Sequence, residues 1–153
     1  MVPILWEVIE SSWKAFPPLD RTRQRAVRLN NQGALLQLSY MLDGLIANQC
    51  RRQLQSFSSE QLLAFIHQLE AQLSCLDRPE LIAIFGDNPH SALWARGFII
   101  GMGEAYFHKI DLAPQKAYKG LEAKSICHIG YEVWELSLDR STPTVPALKS
   151  MPG

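Results

Sequence analysis

The sequence predicts an all-α, single-domain helical bundle of about five longer helices with a loose C-terminal tail. Three observations carry that expectation. Apolar residues recur at intervals of three and four through most of the chain, the period of one helix face. Prolines, glycines, asparagines and serines fall between those runs, where helices start and stop. Almost nothing alternates with period 2. The run GFIIGMG has the composition of a buried strand, but a lone strand builds no sheet. At 153 residues, 47% hydrophobic and 20% charged, the chain is large and apolar enough for one hydrophobic core.

Pro3 suits a first helical turn, and Leu5, Val8, Ile9, Trp13 and Phe16 give an amphipathic first helix that Pro17-Pro18 ends. Asp20 is the expected N-cap of a second segment running from about Arg21 to Leu54. This segment is basic early, with Arg21, Arg25 and Arg28 on one face. Later it is apolar on two faces. Leu35, Leu38, Leu42 and Leu45 follow an a/d rhythm, with Ile46 beside them, while Leu29, Leu36, Tyr40 and Ala47 form a second stripe. A helix apolar on two sides is expected to be covered on both. Asn30-Asn31-Gln32-Gly33 offers a break into two helices.

Ser58-Ser59-Glu60-Gln61 reads as a capping box, with Phe57 and Leu62 placed as a hydrophobic staple. Leu62, Phe65, Ile66, Leu69, Leu73 and Leu76 then form one stripe. A short helical turn follows over Pro79–Phe85, and Gly86-Asp87-Asn88-Pro89 breaks the chain. Asp87 or Asn88 caps a helix expected to continue to about Ile110. Asp111 is the expected cap of the last helix, with Pro114 in its first turn and Ile126, Ile129, Val133 and Leu136 as its seam. The bundle is expected over residues 1–139, and residues 140–153, with Pro143, Pro146 and Pro152, as a flexible tail.

Lys+Arg and Asp+Glu are both 15, a balance that disfavours a general nucleic-acid binder and removes repulsion against self-association. Cys50, Cys75 and Cys127 are scattered, with no CxxC, which suits buried thiols in a reducing compartment. The opening MVPILWEVIE lacks a basic n-region and carries Glu7 and Glu10, unlike a signal peptide. The apolar run between Arg96 and Glu104 is far shorter than the ~20 residues of a membrane span. The expected setting is cytoplasmic, away from membranes.

No chemical motif is complete. Gly101-Met102-Gly103-Glu104-Ala105-Tyr106 lacks the third glycine and the preceding strand of a dinucleotide fingerprint. Gly97 and Gly101, one turn apart, instead leave a groove for another helix. Glu104 and His108 form an i, i+4 pair, repeated by His128 and Glu132. Carboxylate-bridged metal bundles use Glu-x-x-His with further Glu ligands. At 1.5 Å per residue, His128 also lies ~20 Å along the next helix, level with Arg96 and not with His108. No cofactor and no metal are therefore expected.

Residues 88–107 show one faint resemblance. Asn88, Pro89, Trp94, Phe98, Gly103, Glu104 and Tyr106 resemble in part the Asn-Pro…Trp…Phe…Gly-Glu-x-Tyr pattern of the helical, dimeric RuBisCO assembly chaperones. The interval from Phe98 to Gly103 departs from that family, and the long segment before Asn88 has no counterpart in it. Membership is not drawn from it, but a helical assembly factor stays among the readings.

The functional expectation is a non-enzymatic protein that works by protein–protein interaction, as an adaptor, assembly factor or regulatory subunit, and that self-associates. Its expected helix-packing or partner surface comprises Leu35, Leu38, Leu42, Leu45, Gly97, Gly101, Trp6 and Trp13. Tryptophans favour such contacts. The alternatives are a nucleic-acid-associated accessory protein using Arg21, Arg25 and Arg28, and a small-ligand or metal-dependent enzyme using Glu104 and His108 with Tyr106.

Overall fold

The computed structural model describes residues 2–138, and every regular element among them is helical. The elements are α1 (Ile4–Lys14), α2 (Pro17–Leu29), α3 (Gln32–Met41), a π-helical segment (Leu42–Ile46), α4 (Ala47–Gln55), α5 (Ser59–Cys75), α6 (Pro79–Phe85), α7 (Pro89–Gly101), α8 (Glu104–Leu112), a 3-10 turn (Pro114–Lys116) and α9 (Lys124–Leu138). The expected tail over residues 140–153 lies outside the described residues. No helix among the described residues is long and apolar enough to cross a membrane.

Local chemistry accounts for most of the boundaries. Asn30 ends α2 in the left-handed region (φ 50°, ψ 45°), which asparagine tolerates better than most residues. The Asn31 side chain then accepts from the Ala34 N–H at 2.9 Å and caps α3. The capping box of α5 is present in both halves. Ser58 Oγ accepts from the Gln61 N–H at 3.2 Å, and Gln61 Oε1 accepts from the Ser58 N–H at 2.9 Å. Asn88 caps α7 by accepting from the His90 and Ser91 N–H groups.

Three boundaries differ from the expectation. Asp20 does not cap α2. The two prolines fill the opening positions, where no amide donor needs a partner, and Asp20 sits inside the helix, buried. The helix expected over 88–110 is two helices, broken at Gly103 (φ 106°), where a Cβ would strike the Arg23 guanidinium and the Glu10 carboxylate. Asp111 belongs to the last turn of α8 and accepts from the Arg78 guanidinium at 2.7 Å. The last helix begins only at Lys124, after a loop that buries Ala117, Leu121 and Ala123.

α9 packs on α4, α5 and α7. It runs parallel to α4. Asp43 Oδ1 accepts from the Ser125 N–H at 2.7 Å, and further along Arg51 pairs with Glu132 at 3.0 Å. It also packs on α5, where the Tyr131 hydroxyl donates to Glu70 at 2.6 Å. Trp13, Trp134, Tyr106, Phe65 and Phe98 are fully enclosed in the resulting core, each worth roughly 1.5–3 kcal/mol or more on burial.

The groove at Gly97 and Gly101 is filled from within the chain. A Cβ on Gly97 would stand 2.5 Å from Cys127 Sγ and 2.8 Å from the Ala123 carbonyl oxygen; one on Gly101 would meet the Leu42 side chain. The Ala123 oxygen is backbone and cannot swing aside. Gly97→Ala is therefore expected to lose about 1–3 kcal/mol of stability by overpacking. Urea unfolding checks this, and an unchanged midpoint would contradict the close approach.

Candidate interaction surface

α3 and the π segment have one buried face and one open face. Leu35, Leu38 and Leu42 are buried in the chain's own core, so they are intrachain packing residues and not partner-facing ones. On the opposite side Leu36 is 40% exposed, Tyr40 71%, Met41 44% and Leu45 40%. Leu45 was expected to follow Leu38 onto the a/d seam, and Ala47 to follow Tyr40 onto the second stripe. The structure reverses both, leaving Leu45 out and Ala47 buried. The π segment is the physical reason. Its wider turn takes one extra residue, which rotates everything after it by about one helical position, ~100°.

A groove flanks this open face on each side. One, of about 370 Å³, is lined by Leu36, Tyr40, Asp43, Trp94, Glu122 and Lys124. The Lys124 ammonium lies 5.1 Å from the centre of the Trp94 ring, and His90 meets the same ring edge-on at 5.7 Å. Glu122 is half-buried, and desolvation raises its carboxyl above the usual range. Among the described residues no hydrogen-bond donor or cation pairs with it. The other groove, of about 240 Å³, lies between α2 and α3 and is lined by Leu19, Thr22, Ala34, Gln37, Leu38 and Met41.

The basic stripe is narrower than its sequence suggests. Arg21, Arg25 and Arg28 are exposed on α2 and form no ion pair among the described residues. Arg23, between them, is buried. Its guanidinium donates to Asp20 at 2.6 Å, Glu10 at 2.9 Å and the Met102 carbonyl at 3.0 Å, and stands 5.2 Å from the Trp13 ring centre. Glu10 also accepts from the Glu104 N–H at 3.2 Å, which ties α1, α2 and the start of α8 together.

The remaining candidates are dispersed. Trp6 and Trp13 are buried; Trp13 donates its indole N–H to the Gly101 carbonyl at 2.8 Å. Glu104 and His108 approach at 3.5 Å with about half of each side chain exposed. Tyr106 is enclosed, its hydroxyl 3.3 Å from Asn30 Oδ1, and burial raises its pKa. His128 lies on α9 beside Cys127, which packs at Gly97, while Glu132 pairs with Arg51. Among the described residues no three His, Cys, Asp or Glu side chains form a group able to hold a metal ion. Burial pushes the Cys50 thiol up to about 11 and the Cys127 thiol up to about 12, so both stay neutral.

Comparison with protein-family models, with curated proteins and with solved structures finds no match. The open face is thus read from its own residues. Leu36 and Tyr40 were visible as a second apolar stripe. Trp94 and Glu122 were not visible as their neighbours, because the groove they border is assembled from α3, α7 and the loop before α9.

Arg23→Ala strands two carboxylates and is expected to lose about 3–5 kcal/mol, as for other broken buried ion pairs. Denaturant unfolding measures it. His128 Nε2 is buried with no partner among the described residues, and desolvation, with Lys124 nearby, lowers its pKa below the ordinary 6.5. The unfolded chain then binds more protons than the folded one below about pH 6.5, so stability falls as pH drops through that range. His128→Gln is expected to flatten the decline between about pH 6.5 and 5 in unfolding free energies measured across that window.

Proposed function

We propose that this protein acts by binding another protein through the open face of α3 and the π segment, as an adaptor or assembly factor would. The observation that carries the reading is the contiguous exposure of Leu36, Tyr40, Met41 and Leu45 on one helix face bordered by two grooves. Scattered exposed apolar residues are normal, but a contiguous group rimmed by polar side chains marks interaction sites. Two further features support it. A π segment within a longer helix is frequent at functional positions, and this one places Leu45 on the open side. Tyrosine, which forms a ridge on this face with Leu36, is among the residues that dominate association energies. The cytoplasmic setting belongs to the same proposal and is supported by three unpaired cysteines.

A second reading, contact with nucleic acid or another polyanion, is favoured by Arg21, Arg25 and Arg28, which are exposed and form no ion pair among the described residues. An affinity for single- or double-stranded oligonucleotides that falls steeply between two salt concentrations supports it, and no binding at low salt removes it.

The principal reading is tested with a photo-reactive amino acid placed at position 40 in the native cell. It is expected to give discrete covalent adducts that are lost on adding Leu36→Glu. The same probe at Gln115, away from α3, is expected to give none. Equal labelling from the two positions would refute an association surface on α3.

A further inference from the structure

We propose that the open face of α3 packs on the same face of a second copy of this chain, in a parallel two-fold arrangement that seats Tyr40 of each copy in the Leu19–Leu38–Met41 groove of the other. This rests on the reading of α3 as an association surface and names its occupant. A two-fold interface uses one patch twice, so the patch must complement itself. This one has both halves of such a fit. Leu36 and Tyr40, one turn apart, form a ridge on one shoulder of α3, and the α2/α3 groove follows the other shoulder at the same level. Ridges set into grooves are how helices pack. Gly44 lies between the shoulders with nothing near its missing Cβ, which leaves room for the second helix.

Charge selects the orientation. On α2, Arg25 follows the groove-lining Thr22 by three residues and so continues the outer wall of that groove. It is exposed and forms no ion pair among the described residues. On the opposite shoulder, Glu122 is a partly desolvated carboxylate, likewise without a partner among the described residues. Asp43, beside it, is engaged by the Ser125 N–H, and Lys124 sits over the Trp94 ring. One shoulder thus carries an unpaired cation and the other an unpaired anion. A two-fold axis parallel to α3 sets the Arg25 shoulder of each copy against the Glu122 shoulder of the other. An axis across α3 would set arginine against arginine and glutamate against glutamate. The zero formal net charge of the whole chain adds no general repulsion to either.

Sedimentation velocity on the full chain, over concentrations up to roughly 100 µM, tests the arrangement. Expected is a concentration-dependent dimer that Tyr40→Glu converts to monomer, with circular dichroism showing that the variant stays folded. Arg25→Glu and Glu122→Lys are each expected to raise the dimer dissociation constant roughly tenfold, since each variant creates two like-charge contacts. The double variant is expected to restore dimerisation, a rescue that a merely structural role of either residue would not give. A wild-type chain monomeric throughout, a dimer indifferent to Tyr40→Glu, or a dimer tightened by Arg25→Glu would each overturn the proposal. A monomeric chain whose position-40 probe captures a different protein would remove the second copy alone; absence of both dimer and adducts would remove the association reading as well.

Discussion

Most of this structure depends on how closely α9 lies against α7. Backbone meets backbone there: the Ala123 N–H donates to the Trp94 carbonyl at 3.0 Å, and Gly97 leaves no Cβ between the two chains. Because α9 starts so near α7, its flanks can also reach α4, α5 and the π segment. The contact is non-local, which explains a long loop before α9 with three of its small or apolar residues buried. A helix begun at Asp111 would have carried its seam past Gly97 out of register.

The second tie is the Arg23 cluster. It is a cation buried with two carboxylates and a carbonyl, at the point where α7 gives way to α8. Such a group contributes less net stability than its bonds suggest, since desolvating the charges offsets much of the attraction. Its position is informative for another reason. Gly103 bends the chain where its N-terminal neighbour, Met102, offers a carbonyl to the guanidinium, so the bend and the buried charge require each other.

Helix existence and most starts were legible in the sequence because their signals are local. The capping box at Ser58 and Gln61, the Asn88–Pro89 start and the Asn30–Asn31 break each involve residues within a few positions of one another. The apolar stripe of Leu36 and Tyr40 was legible too. Three features were not: the break at Gly103, the start of α9, and the exchange of Leu45 for Ala47. The first two are set by partners far along the chain, Arg23 and Trp94. The third follows from a change of helical pitch, which leaves no mark in composition or in spacing counted at a fixed period. The same holds for the candidate surface. One helix of it is readable, but Trp94 and Glu122 join it only through the fold.

The π segment has a consequence for how this surface can change. A helix interrupted by one surplus residue is a frameshift in three dimensions. Removing one residue between 42 and 46 would let the segment close into ordinary α-helix and leave α3 and α4 on the bearings they hold now, because the surplus residue is what the wider turn absorbs. The core sides of both helices, Leu35 and Leu38 on α3 and Cys50 and Leu54 on α4, would stay in the bundle, and only the five-residue segment between them, with Leu45, would change its presentation. A single-codon deletion there is thus an edit in phase, one that trims the open face at Leu45 while the rest of the bundle keeps its packing.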